Sequence, residues 1–259
     1  MMFIFLLLCS AASAAKLDQE VVDMTFAFDE TIFNYPEVQK FEKNGTHKYK
    51  EWYQLEDLII GTYIDSPSFF DENGKTVDQL LLDHLIAPVA IIDITPSVKL
   101  EPDVEGSVED LLYWEALTGQ TLNETILLLK SGWWKKWKNQ TTFLDMEENV
   151  RTNLHHPGLA PEAAKWLVEN RNIYGIGVET PHVDRGSSKS KEAQKILLRH
   201  DVFTVQNVAN MDKIPIYGAT MHVIPMKFAK ASRAPVRAFA TYPVVLFDYI
   251  PAIGTNERF

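Results

Sequence analysis

Any chemistry in this chain would have to come from a few residues. They are Asp65 within Gly61-Thr62-Tyr63-Ile64-Asp65-Ser66-Pro67-Ser68-Phe69, the adjacent pair His155-His156, and the run Glu179-Thr180-Pro181-His182-Val183-Asp184. Carboxylate and imidazole together are the ligands of metal-assisted hydrolysis, in which zinc or manganese acidifies a water or polarises a carbonyl. Adjacent histidines rarely hold one ion unless the backbone bends, and His156-Pro157-Gly158 reads as a turn ahead of a helix opening at Pro161. If residues 179–184 continue a strand, alternation places His182 with Asp184 on one face and Glu179 on the other. Asp65, His182 and Asp184 are therefore the set from which a relocated metal site could be built. The chain contains neither a Gly-x-Ser-x-Gly elbow nor a phosphate-binding loop. Trp133-Trp134-Lys135-Lys136-Trp137-Lys138 has the make-up of a basic-aromatic patch for carbohydrate, anionic lipid or nucleic acid.

These residues need elements to position them. Runs rich in β-branched and aromatic residues predict strands over 21–26, 89–95, 125–129, 174–179, 203–207, 220–228 and 236–240. Pro88 stands at the mouth of the second of these, where its missing N–H is tolerated. Ser107 three residues before Asp110 is a capping-box arrangement ahead of Leu111, Leu112 and Trp114. Pro161-Glu162 opens a second helix, with proline at a first-turn position and an acid near the positive end. A third runs over 191–200, with Ala193, Ile196 and Leu197 at helical spacing. Strands with a few helices and no strict alternation predict a mixed α/β fold rather than a doubly wound one.

The ends and composition bear on compartment and partners. A short apolar run over residues 3–9 leads into Ser10-Ala11-Ala12-Ser13-Ala14-Ala15 and then Lys16, the pattern of a cleaved secretory signal covering 1–15. It is far shorter than the roughly 20 residues that span a bilayer. The expectation is thus an extracellular protein with one domain over 16–259. Cys9 is the only cysteine, so its removal with the signal excludes thiol catalysis and cysteine-based zinc sites. Asn44, Asn123 and Asn139 each open an Asn-x-Thr sequon and are candidate glycosylation sites. A formal charge of −10 disfavours nucleic acid, whose phosphates demand a basic face. No second apolar run suggests a membrane span.

The segment around Asp65 resembles His-x-Gly-Thr-His-x-Asp-x-Pro-x-His, the metal motif of the cyclase family of kynurenine formamidase- and isatin hydrolase-like metal-dependent hydrolases. The likeness extends in order through most of the chain. Val22-Asp23-Met24-Thr25 is similar to the opening Asp-Leu-Ser, and Ala90-Ile91-Ile92-Asp93 to the strand after the metal motif. Leu127-Leu128-Leu129-Lys130-Ser131-Gly132-Trp133 resembles Leu-Leu-x-Thr-Gly-Trp, which makes Trp133 structural rather than a surface anchor. His156-Pro157-Gly158, Gly175-Ile176-Gly177-Val178-Glu179-Thr180, Asn207-Val208-Ala209-Asn210 and Pro235-Val236-Arg237-Ala238 match later signatures. The resemblance implies a swivelling β/β/α cyclase-like fold with a mixed, β-rich core, flanking helices and assembly as a homodimer or homotetramer.

It also implies where a metal would sit, and those positions have changed. The three histidines of the motif read Ile59, Tyr63 and Phe69; a later ligand histidine reads Gln194 and a ligand glutamate Gln206, leaving Asp65 as the anion. Isoleucine and phenylalanine have no lone pair, a phenol stays protonated near neutral pH, and carboxamides bind a dication weakly. The expectation is a secreted pseudoenzyme without a cofactor. Its ancestral pocket would be repacked, with Tyr63, Asp65, Gln194 and Gln206 hydrogen-bonded to one another. Its partner would be an extracellular protein or a small aromatic ligand. The alternative is an active metal-dependent amide hydrolase, with zinc or manganese on Asp65, His182 and Asp184.

Overall fold

The computed structural model describes residues 19–27, 42–47, 50–54, 61–144 and 154–244. Its centre is a closed barrel. The strands are β1 (Gln19–Asp23), β2 (Tyr63–Asp65), β3 (Ile86–Asp93), β4 (Ile126–Lys130), β5 (Gly175–Val178), β6 (Phe203–Gln206), β7 (Thr220–Pro225) and β8 (Arg233–Pro243). They pair in the order β1-β8-β7-β3-β4-β5-β6-β2, and a further β8–β2 pairing closes seven of them into a ring, leaving β1 outside on β8. Neighbours from β3 to β6 run parallel, and the other pairs are antiparallel. This is the mixed, β-rich α/β architecture expected from the sequence.

Alternation along the strands sorts side chains into two apolar layers. Inward-facing Ile64, Val89, Ile91, Ile126, Leu128, Phe203, Val205, Met221, Val223 and Ala234 fill the barrel. Outward-facing Ala90, Ile92, Leu127, Leu129, Ile176 and Val178 are covered by helices. Those helices are α1 (Val108–Thr118), α2 (Pro161–Asn170) and α3 (Glu192–Arg199). Ser107 and Asp110 form the expected capping box of α1, and Gly119 ends that helix in the left-handed region at φ 66°. Gly175 faces the barrel interior because Phe203 takes the room: a Cβ there would lie 2.3 Å from the Phe203 ring. Two further pairings, Glu42–His47 with Lys50–Gln54 and Glu105–Gly106 with Gly158–Leu159, stand apart from the barrel.

The strand over 174–179 ends at Val178, and residues 179–184 form bends, so alternation does not govern His182 and Asp184. The strand over 236–240 is longer than its apolar run, starting at Arg233. Among the described residues no helix is long and apolar enough to cross a membrane. Residues 1–15 and Ile59 lie outside the described residues, as do the side chains of 42–47, which include Asn44. Asn123 and Asn139 are both exposed. The Asn123 side-chain oxygen accepts from the Asn172 amide at 2.8 Å, and that of Asn139 accepts from the Thr142 amide at 3.2 Å.

Candidate functional site

Three strands and one helix build the site. Antiparallel register sets Thr204 opposite Asp65 and Gln206 opposite Tyr63 on one side of β2, and Arg233 opposite Asp65 on the other. Since Ile64, Val205 and Ala234 point into the barrel, their neighbours Tyr63, Asp65, Thr204, Gln206 and Arg233 share the outer face. Helix α3 crosses above them. Its buried residues Ala193, Gln194, Leu197 and Leu198 follow helical spacing, which turns Gln194 toward Asp65.

Asp65 is 1 % exposed and receives donors from two directions. Gln194 Nε2 donates to its Oδ2 at 2.6 Å and Gln206 Nε2 donates to the same oxygen at 3.2 Å. Both amides also donate to Thr204 Oγ1, at 3.2 and 2.7 Å. Arg233 Nε lies 2.9 Å from Asp65 Oδ1 as an ion pair, without an aligned hydrogen bond. The guanidinium carbon stands 3.4 Å from the Phe69 ring centroid, so the aromatic ring at a motif histidine position supports a cation. Burial raises the Asp65 carboxyl to about 6, against the opposing pull of Arg233 and Gln194. Desolvation is therefore the larger effect, and the group is still mainly ionised at pH 7.5.

Four of the expected pocket residues fall in one neighbourhood, but one makes a different bond. The Tyr63 hydroxyl donates to the Pro181 carbonyl at 3.0 Å rather than to the carboxylate and amides. Its long phenol reaches past the cluster to the loop after β5. Arg233 was not expected at all. Thr62 and Asn207 clamp the entry to β2: Thr62 Oγ1 donates to Asn207 O and Asn207 Nδ2 donates to Gly61 O, each at 2.7 Å. Gly61 takes φ 59° there, a left-handed turn that favours glycine.

The residues proposed for a relocated metal site have other surroundings. Asp184 accepts from the backbone amides of Ala193 and Gln194 at 2.8 and 3.1 Å, capping α3 with a negative charge at its positive end. His182 lies beside His156, ring centroids 6.1 Å apart. Burial lowers His156 to about 4 and His182 well below the usual imidazole range, so both are neutral near pH 7. His155 pairs with Asp103 at 2.6 Å. Among the described residues no three His, Cys, Asp or Glu side chains are grouped to hold a metal. In the basic-aromatic segment Trp133 is buried, as expected, and its indole N–H donates to Phe143 O at 2.7 Å.

The donor set itself does not fit the divalent metal that the family resemblance implies. A dication on Asp65 would meet two amide NH2 groups and a guanidinium, all positive at their outer edges. The carbonyl oxygens of Gln194 and Gln206, the atoms able to coordinate, are directed elsewhere and lack a hydrogen-bond partner among the described residues. Turning the amides over would set oxygen against carboxylate oxygen and remove both Asp65 bonds.

Glu179 is the second buried acid. Its Oε2 accepts from Ser131 Oγ at 3.0 Å and from Ser131 N at 3.3 Å, while Oε1 has no partner among the described residues. Burial raises this carboxyl to about 7. A raised acid contributes stability that is complete below its unfolded value and is lost as pH rises through the folded one. Glu179→Gln is therefore expected to match the parent near pH 4.5 and to exceed it by roughly 2 kcal/mol at pH 8. Urea unfolding at both pH values checks this, and parallel pH–stability curves for the two proteins would contradict it.

Comparison with known proteins agrees with the architecture. The family model described as "Putative cyclase" matches residues 22–185. The isatin hydrolase of Roseibium aggregatum is 28 % identical over 214 residues, covering 80 % of each chain. The kynurenine formamidase of Bordetella petrii is 33 % identical over 182 residues, covering 69 % of this chain and 74 % of its own. A crystal structure of an isatin hydrolase bound to the product analogue thioisatinate superimposes with a TM-score of 0.78 at 26 % identity, over 87 % of this chain and 93 % of that one. The closed barrel, the helix carrying Gln194 and the matched motifs together establish that the chain belongs to the cyclase family.

Proposed function

We propose that this protein is an exported cyclase-family member that has given up metal-dependent hydrolysis and keeps the ancestral pocket for binding. One observation carries the reading: Asp65, the acid left in the motif, is held by Gln194, Gln206 and Arg233 in an arrangement suited to a carboxylate and hostile to a dication. Relatives named isatin hydrolase and kynurenine formamidase suggest which activities have been lost, namely opening of a cyclic amide and removal of a formyl group. The signal-like segment over 1–15 and the exposed sequon residues Asn123 and Asn139 support an extracellular, glycosylated product.

The test is elemental analysis of natively exported protein together with hydrolysis assays on isatin and N-formylkynurenine. Less than about a tenth of an equivalent of zinc or manganese is expected, with no turnover above buffer when either metal is added. Near one equivalent, with activity lost on chelation and restored by metal, would overturn the reading in favour of an unconventional hydrolase.

A further inference from the structure

We propose that the groove where β3, β4 and β5 begin is the seat of the first sugar of a glycan carried on Asn123. This rests on the exported, glycosylated part of the reading above and is independent of the metal. The groove measures about 520 Å³, and Asn123 is itself part of its wall, together with Asp83, Trp114, Glu124, Tyr174 and Tyr217. The Asn123 side-chain oxygen accepts from the Asn172 amide at 2.8 Å, and the Glu124 amide donates back to the Asn172 carbonyl at 2.6 Å. This double clasp holds Glu124 at φ 59°, where few side chains settle unaided. Among the described residues nothing accepts from Asn123 Nδ2, the atom that carries an N-linked sugar. Attachment forms an Nδ2–C1 bond, breaks the C1–O bond to the diphosphate of the glycosyl donor and releases one Nδ2 proton. The carboxamide oxygen is untouched, so the Asn172 bond survives and fixes the amide plane from which the sugar leaves. The sequon hydroxyl of Thr125 is buried and donates to the Leu122 carbonyl at 2.8 Å, so the sugar is added before the chain folds.

The rest of the wall suits a sugar. Tyr217 is 50 % exposed and sits on a turn fixed from both sides. The Trp114 indole N–H donates to the Ile216 carbonyl at 3.1 Å, and Gly218 takes φ 85°. Tyr174 is braced by His84, the two rings stacked 4.0 Å apart at an interplanar angle of 7°. Rings held in this way offer apolar surface to the C–H face of a pyranose and to its acetyl methyl. Asp83 and Glu124 are the charged residues of the wall, and among the described residues neither carboxylate has a hydrogen bond or ion pair. Both are acceptors for sugar hydroxyls, which bring no charge of their own. A short tether holds its ligand at an effective concentration of about millimolar. A seat with Kd near or below about 1 mM is therefore filled half the time or more, although a free sugar at low concentration would leave it empty.

The test compares one polypeptide, carrying Asn44→Gln and Asn139→Gln, exported from a eukaryotic host and made in a bacterium that adds no glycan. The exported form is trimmed to its first N-acetylglucosamine, and mass spectrometry locates the sugar. Expected are a sugar on Asn123, a thermal midpoint about 2–4 °C above that of the bare form, and an acetyl methyl resonance upfield of free N-acetylglucosamine. Tyr217→Ala, at an exposed position, should abolish the upfield shift and at least half of the rise in midpoint. An acetyl methyl at the free-sugar position, equal midpoints for the two forms, or a signal indifferent to Tyr217→Ala overturns the seat. If Tyr217→Ala is not exported, Tyr217→Leu takes its place with the same expected direction. Parent protein that carries sugar on Asn139 and none on Asn123 refutes the seat and leaves the exported reading standing. Parent protein retained in the cell without any sugar refutes both.

Discussion

Arg233→Ala is expected to destabilise the folded protein by about 3–5 kcal/mol at pH 7.5, a loss typical of leaving a buried carboxylate without its counter-ion. Asp65 is 1 % exposed, and the Arg233 charge is the strongest influence drawing its carboxyl down against desolvation. Without the guanidinium the folded Asp65 carboxyl rises above its present value of about 6. A further raised acid loses stability as pH rises through that value, so the deficit should be largest in alkali and shrink toward pH 5. Asp65→Asn in the same background removes the stranded charge and should recover at least half of the loss. Urea unfolding of the parent, both single variants and the double variant at pH 5 and 7.5 provides the measurement. A deficit equal at both pH values and in both backgrounds would show that Arg233 acts through packing on Phe69 rather than through charge.

The second large effect concerns metal. Substituting Tyr63→His, Phe69→His, Gln194→His and Gln206→Glu returns strong donors to the neighbourhood of Asp65, enough for a zinc site. Zinc is nevertheless expected to be absent after dialysis while Arg233 remains, because the guanidinium 2.9 Å from Asp65 both occupies the carboxylate and repels a dication. Adding Arg233→Ala should raise occupancy to about one ion per chain, with Kd in the micromolar range or tighter, worth about 8 kcal/mol. The readout is metal quantified against protein together with zinc-dependent thermal stabilisation. Zinc uptake by the variant that keeps Arg233 would show that the missing ligands alone account for the change.

Much of this was legible in the residues because motif spacing and strand alternation are local properties. Asp65, Gln194 and Gln206 occupy positions that a family pattern names, and their convergence follows once β2, β6 and α3 adopt the family arrangement. Arg233 was not legible. In sequence it is one cation near the start of an apolar run, and its role depends on the β8–β2 register that sets it opposite Asp65. The relative placement of His182 and Asp184 was not legible for a related reason. The apolar pattern of β5 reaches Glu179 but hydrogen bonding stops at Val178, so a period-two rule was applied to a bend. Asp184 looked like a ligand, yet it serves the amide groups of α3, a demand visible only once that helix start is located in space.

Barrel closure has a consequence for the order of folding. Strand β2 is three residues long, and it joins β6 on one side to β8 on the other. Those partners lie far along the chain, so the ring cannot shut until late-arriving segments meet, the kind of distant contact that slows folding. Arg233 opposite Asp65 is part of that last seam. Pocket assembly and ring closure are thus one event, and amide exchange in β2 should slow whenever the pocket is filled.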